Sequence, residues 1–391
     1  MSTPLEQIDP VETGARLRIA REERQLTQAE AAAALKLART TLVAIEQGQR
    51  RVRIDELQEF SKLYNTSVNA LLRREAVHVD LAPKFRKLTS GSDSVRDATQ
   101  VLADLAKAEV ELENLLGVQR SRNYPAERPI RHGDVRTQAE QDALELRQRL
   151  GLGLAPILDI VSLLELEMGI RVYVRKLDST VSGLFVYDDR LGACILLNAN
   201  HPRERRAQTA AHELGHVVST RREPEIFIEE RADASVEERY ANAFARSFLM
   251  PVRAVTEKFQ EVTVGARSLT RRHVILLAHW FGVSRQTLVL RLEELGLTKP
   301  GSWTWFEHHG GISKEHVSEV LGDLAHKDTQ RFEAERPTSL RLSLLASEAL
   351  RRELLSEGQL SRLLRMDRVE LRELVGDAEG NPADDGPAFR S

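Results

Sequence analysis

A chain of 391 residues exceeds what one apolar core supports, since cores stop growing near ~250–300 residues, so two or three domains are expected. With 41% hydrophobic residues, 29% charged residues and a net charge of -3, the composition excludes a wholly disordered chain and shows no whole-chain bias toward nucleic acid. No run approaches ~18 uninterrupted apolar residues and the first residues lack a signal-peptide pattern, so no membrane partner is expected and the chain reads as cytoplasmic.

Residues 1–13 are polar, contain two prolines and read as a disordered tail. From 14 to 72, apolar residues recur at helical spacing in short segments, which predicts five short helices within a domain spanning 14–74. This stretch departs from the neutral average. Between Arg16 and Arg53 nine Lys/Arg stand against four Glu, a surplus of five positive charges.

Within it, Leu26-Thr27-Gln28 opens a helix, residues 31–34 are all alanine, Arg39-Thr40-Thr41-Leu42 begins another helix and Ile45-Glu46-Gln47-Gly48 closes it. This pattern resembles the XRE-type (lambda-repressor-like) helix-turn-helix. The resemblance implies a five-helix transcription-regulating domain that reads a double-stranded DNA operator. Gln28 and the start of the third helix would then face the major groove, with Arg39, Thr40 and Thr41 at base edges and Arg50 and Arg51 clamping phosphates. A protein-binding module of the same helices is the plainer alternative. Two positions depart from the pattern: Lys36 stands where a turn glycine is usual, and Ala38 replaces a Ser/Thr cap worth about 1 kcal/mol.

A helical linker is assigned to 75–135. Its least structured point is 90–94, and 95–117 reads as a long amphipathic helix, either a spacer or the seam of a homodimer. Two prolines in 123–133 mark a boundary. In the next domain, 136–311, helices are predicted over 138–150 and 157–168. The period then changes to two: 170–175, 181–187 and 193–198 are rich in β-branched and aromatic residues and predict a small antiparallel sheet. Helices follow over 203–220, 237–249, 268–281 and 286–295, then a helical extension over 312–376 and an acidic tail over 377–391. The fold class is mainly α with a small antiparallel sheet, α+β in the second domain.

The most specific motif is His212-Glu213-Leu214-Gly215-His216 in the helical run 207–218. Residues i and i+4 differ by ~40° around a helix, so both imidazoles leave one face a turn apart and reach one divalent cation. Cys194 is the lone cysteine, which leaves the metal to histidine and carboxylate. Glu213 is placed to take a proton from the attacking water and pass it to a leaving amine. Gly215, a poor helix former, leaves space beside the site. A third ligand is needed from a later helix, and the candidates are Glu223, Glu225, Glu229, Glu230, Asp233, Glu237, Glu238 and His273. Glu238 is preferred, with Glu237 next, because it opens an amphipathic helix. One turn on, Asn242 can accept the second ring N–H of a ligating histidine.

The block TAAHELGHVVS (209–219) followed by EERYANAFARSFLMP (237–251) resembles the ImmA/IrrE family of zincin-like metallopeptidases, and 277–297 is similar to the helical segment that usually closes that domain. About 154–311 falls under the resemblance. It implies a metal, zinc with manganese as the alternative, on His212, His216 and Glu238, with Glu213 as the base. It also implies cleavage of a helix-turn-helix repressor in response to a stress or mobile-element signal. Tyr240 departs from the family, which often has Glu there.

Weaker signals remain. The strand 193–198 is a candidate edge for substrate pairing, and Tyr187, Tyr240 and His273 are candidate oxyanion stabilisers. Trp303, Trp305 and Phe306 read as tethers of a linker. A φ-R-x-x-L pattern returns at 283–288 and 366–371, where helical packing is the preferred reading. The whole reads as a DNA-binding regulator fused to a zinc endopeptidase that cuts a repressor, or itself within 90–125. The rivals are a non-proteolytic one-component regulator with a sensor domain and an antitoxin-like or phage-defence binding component.

Overall fold

The structure is a computed structural model that describes residues 10–64, 66, 71, 93–131, 133–221, 225–228, 235–322 and 339–379. The described residues divide into two compact units, one drawing on Met1–His78, Glu109–Gln119 and Glu348–Ser356, the other on Val79–Ala108, Arg120–Ser347 and Glu357–Ser391.

The first unit contains α1 (Pro10–Glu23), α2 (Gln28–Ala34), α3 (Arg39–Glu46) and α4 (Ile54–Tyr64). Helix α1 begins inside the expected tail, with Pro10 at its first position, where a missing N–H costs nothing. Most of the expected fifth helix lies outside the described residues, and so does 380–391. Helix α2 starts in a capping box: the Thr27 hydroxyl accepts the Glu30 N–H, and the Glu30 carboxylate accepts the Thr27 N–H at 2.8 Å. Leu17, Leu42, Ile45, Leu57 and Phe60 form its apolar core. A buried polar knot ties the first three helices together. Arg21 donates to both oxygens of Glu46, at 2.7 and 3.1 Å, and to the Leu26 carbonyl.

Asp93–Leu116 is a single 24-residue helix, α5. Beyond it, residues from Arg120 onward do not behave as a free connector. The Asn123 N–H donates to the Met168 carbonyl, the Arg128 N–H to the Val218 carbonyl, and Tyr124 Oη accepts the Ala193 N–H. The segment is thereby pinned to the second unit.

That unit places α6 (Val135–Arg149) and a short helix Ile160–Ser162, which runs into a π-helical turn at Leu163–Glu167, ahead of a four-stranded sheet. The strands are β1 (Arg171–Arg175), β2 (Val181–Asp188), β3 (Gly192–Asn198) and β4 (Glu225–Ile228), in spatial order β1-β3-β2-β4. Of the three predicted strands, β2 and β3 pair antiparallel as expected, but β1 runs parallel to β3; β4, which the sequence pattern did not predict, pairs antiparallel with β2, so the sheet is four-stranded and mixed. Strand β3 is buried along its whole length. An uninterrupted apolar run belongs in the sheet interior, between two neighbours. It follows that 193–198 is not an edge; β1 and β4 hold the outer positions.

Helices α7 (Arg203–Ser219), α8 (Val236–Leu249), α9 (Val252–Val262), α10 (Arg271–Phe281) and α11 (Arg285–Glu294) build the rest of the core with Phe185, Ile195, Leu214, Phe244 and Phe248. Then come α12 (Ser302–His308), α13 (Lys314–Leu321), α14 (Leu340–Arg351), α15 (Glu357–Leu364) and α16 (Arg368–Glu379). Among the described residues no helix is long and apolar enough to cross a membrane.

Candidate metal centre and nucleic-acid interface

Helix α7 is buried continuously from Thr209 to Ser219, so it must make close contact with what lies on either side. Two glycines allow this. A Cβ on Gly215 would lie 2.9 Å from Ala241 Cα of α8, and a Cβ on Gly183 of β2 would meet the Thr209 methyl at 2.6 Å and Glu213 Oε1 at 3.2 Å. The first contact brings α8 alongside the histidines; the second seats Glu213 against the strand. Ser235 caps α8 by accepting the Glu238 N–H, which fixes that residue in the first turn.

His212, His216 and Glu238 converge. Their Nε2 atoms are 3.3 Å apart, and the Glu238 oxygens lie 3.4 Å from His212 and 3.6 Å from His216. Ligands 2.0–2.1 Å from a tetrahedral zinc stand about 3.3–3.4 Å from each other, so the spacing fits that ion. The donor chemistry fits as well. His212 Nδ1 lies 3.1 Å from Asn242 Oδ1 and donates to it. Its Nε2 is left with a lone pair aimed at a second imidazole nitrogen and a carboxylate, a convergence that a cation stabilises.

Both histidines and Glu213 are at most 1% exposed. Burial pushes the His216 imidazole down, toward the neutral form that ligates. Burial alone would raise the Glu238 carboxyl, but the two imidazoles that face it outweigh burial and hold the group well below the usual carboxylate range.

Sequence reasoning missed Thr220, whose hydroxyl lies 3.2 Å from His216 Nδ1. Its signal was available, since it is four residues beyond His216. The Phe185 ring stacks beside His216 at 6.4 Å. Tyr240 is spent elsewhere: its hydroxyl donates to Asp142 Oδ2 at 2.7 Å, while Arg128 pairs with the other Asp142 oxygen. His273 accepts the Thr270 N–H at the start of α10. Neither is set toward an oxyanion. Glu237 is not part of the converging group; Glu223, Glu229, Glu230, Asp233 and the side chain of Glu225 lie outside the described residues. Trp305 stacks on His309 at 4.1 Å, and Phe306 is buried.

In the first unit Arg39 and Thr40 are exposed at the start of α3, and Thr41 is half-buried. Ala38 occupies the cap position with no side-chain hydrogen bond, and Lys36 takes a left-handed conformation, φ 53°. Gln28 donates to Glu46 at 2.9 Å, which turns its amide into the Arg21–Glu46 knot. Arg50 forms two hydrogen bonds with Glu56, and Arg51 is exposed.

The turn before α3 and the turns at the two φ-R-x-x-L sites share one geometry. A left-handed residue precedes each second helix at Lys36, Gly282 and Arg365, with φ of 53°, 63° and 52°. In each unit the next amide closes on the carbonyl five residues back: Leu37 to Ala32, Val283 to Ala278 and Met366 to Ser361.

Comparison with known proteins agrees at family level. Residues 17–71 match the family described as helix-turn-helix, and residues 166–293 match the IrrE N-terminal-like domain. No curated protein matches the chain. Among solved structures, the crystal structure of ComR from Streptococcus suis is similar over 95% of this chain and 94% of that chain at 14% identity, with a TM-score of 0.16. The chain thus carries an XRE-type helix-turn-helix segment and, C-terminal to it, an IrrE/ImmA-like metallopeptidase-family domain.

Proposed function

We propose that the protein is a DNA-binding regulator whose second unit is a zinc-dependent endopeptidase acting on a helix-turn-helix repressor. The observation that carries this reading is the convergence of His212, His216 and Glu238, with Glu213 on the same helix, one residue past the first ligand. His212, His216 and Glu238 would hold zinc, which when bound would supply Lewis acidity toward a peptide carbonyl and a water molecule. Asn242 and Thr220 hold the two imidazoles by their second nitrogens and so fix which nitrogen faces the centre. Glu213 takes the proton of the attacking water and delivers it to the leaving amide nitrogen. Its buried position against β2 keeps the carboxylate fixed while it does so.

The sheet offers a substrate segment an outer strand, and β4, which pairs with β2 next to Glu213, is the one that adjoins the centre. An extended peptide is required. Within the connector proposed for self-cleavage, Asp93–Leu116 is helical and Asn123 is hydrogen-bonded to the second unit, which favours a separate protein as substrate. At the other end of the chain, Arg39, Thr40, Thr41 and Arg51 supply the operator contacts, with Gln28 and Arg50 joining once released from Glu46 and Glu56.

The test is co-expression of the full chain, or its Glu213→Gln variant, with repressors encoded nearby. Removing the base is expected to slow cleavage by about 10²–10⁴-fold while the protein still binds zinc. Equal cleavage by both proteins would sink the mechanism. Intact repressors in both strains would assign the domain to sensing instead.

A further inference from the structure

Beside the candidate metal centre, α6, α8 and α11 border an open cleft of 490 Å³ whose lining includes Asp134 and Arg136 at the start of α6, Arg239, Asn242 and Arg246 along one face of α8, and Glu294 at the end of α11. Three guanidinium groups therefore face two carboxylates, and both carboxylates are already engaged. Asp134 caps α6, accepting the N–H groups of Arg136 and Thr137 and the Thr137 hydroxyl. Glu294 is shared by Arg136 at 3.1 Å, Arg246 at 2.7 Å and Arg291 at 3.4 Å. Arg246 still holds a buried Nε–H with no hydrogen-bond partner among the described residues, and Arg239 extends into the exposed mouth. Positive charge and forked donors are thus in surplus in a concave space of the size that small ligands occupy, roughly 300–1,000 Å³.

We propose that this cleft binds a small oxyanion, a phosphate or carboxylate group carried by a low-molecular-weight ligand, held by Arg239 and Arg246 with Arg136 closing the third side. Guanidinium forks match both anions. The cleft reaches Asn242, whose amide oxygen holds His212, so its ligand sits one residue from the metal ligand set. The site does not depend on proteolysis.

Calorimetric titration of the full chain with sodium phosphate and with sodium succinate, at constant ionic strength in chloride, tests this. At least one anion is expected to bind saturably, and which one binds separates a phosphorylated ligand from a dicarboxylate. Arg239→Glu, at an exposed position, is expected to weaken binding about tenfold or more with the unfolding midpoint in chloride unchanged. Arg246→Lys keeps the charge, loses the fork and should weaken it less. The proposal is overturned if neither anion binds, or if Arg239→Glu binds as the wild type does. It is overturned equally if the arginines bind only duplex DNA.

Discussion

The two units build function in opposite ways. In the second, the chemical groups are themselves the core: His212, Glu213 and His216 are buried in a helix whose neighbours press on it from both sides. In the first, the groups proposed to read DNA, Arg39, Thr40 and Arg51, lie at the surface. There the buried polar residues Arg21 and Glu46 form the scaffold behind them. A buried site is specified by packing and admits little change in position. An exposed one needs only a rigid support, and its side chains stay free to adapt to a ligand. Substitutions in the two regions should therefore differ in kind: stability from the knot, metal affinity from the centre.

The largest effect is expected at the knot. With side chains only 8% and 2% exposed, Arg21 and Glu46 are a buried pair, and Glu46→Ala leaves a guanidinium in the core without its carboxylate. Breaking such a pair costs about 3–5 kcal/mol. Urea unfolding of the full chain should show the loss in the transition of the first unit, with zinc content unchanged. The double variant Arg21→Met/Glu46→Leu should recover most of it, because the penalty lies in the orphaned charge. A loss below about 1 kcal/mol in the single variant would remove the knot as scaffold.

Next comes Asn242. Its amide fixes the tautomer of His212 without touching the metal position, and partners of this kind are worth about 10–100-fold in metal affinity. Competition with a chelator should show Asn242→Ala weakening zinc by that factor, and Thr220→Val, which removes the hydroxyl beside His216 Nδ1, weakening it too. Unchanged affinity in both would mean that packing alone orients the imidazoles.

What was legible in the sequence divides along the same lines. The HExxH helix could be read because i and i+4 share a face whatever surrounds them, and Asn242 could be read four residues past Glu238 for the same reason. Fold class and most helices followed from apolar period. The order of the sheet did not, because the parallel pairing of β1 with β3 depends on contacts that no local pattern encodes. Tyr240 was invisible in the same sense: its partner, Asp142, lies 98 residues away. So was Arg147, a buried cation satisfied by the carbonyls of Gly153, Ala155 and Phe248, and burial pulls it down to about 10. The Gln28 amide escaped notice because Glu46 competes for it, and only the folded knot shows that.

The smallest expected effect lies at the turn before α3, and the chain supplies its own controls. Of the three similar turns, the one at Gly282 combines a glycine with a Ser284 cap that accepts the Thr287 N–H at 3.0 Å. The one at Arg365 has a left-handed arginine, but Asp367 accepts the N–H groups of Val369 and Glu370. The turn at Lys36 has neither advantage: a left-handed lysine and an Ala38 cap with no side-chain bond. Ala38→Ser should therefore stabilise α3 by about 1 kcal/mol. Lys36→Gly should give a smaller net gain, roughly 0.5–1 kcal/mol, since relief of left-handed strain is offset by the freer unfolded chain. Hydrogen exchange on the full chain should report slower opening of α3 amides in both variants, by several-fold, with α7 amides as the unchanged reference. If Ala38→Ser leaves α3 unchanged, a nearby group already satisfies those first N–H donors, and the turn is not the weak point that its sequence and cap geometry indicate.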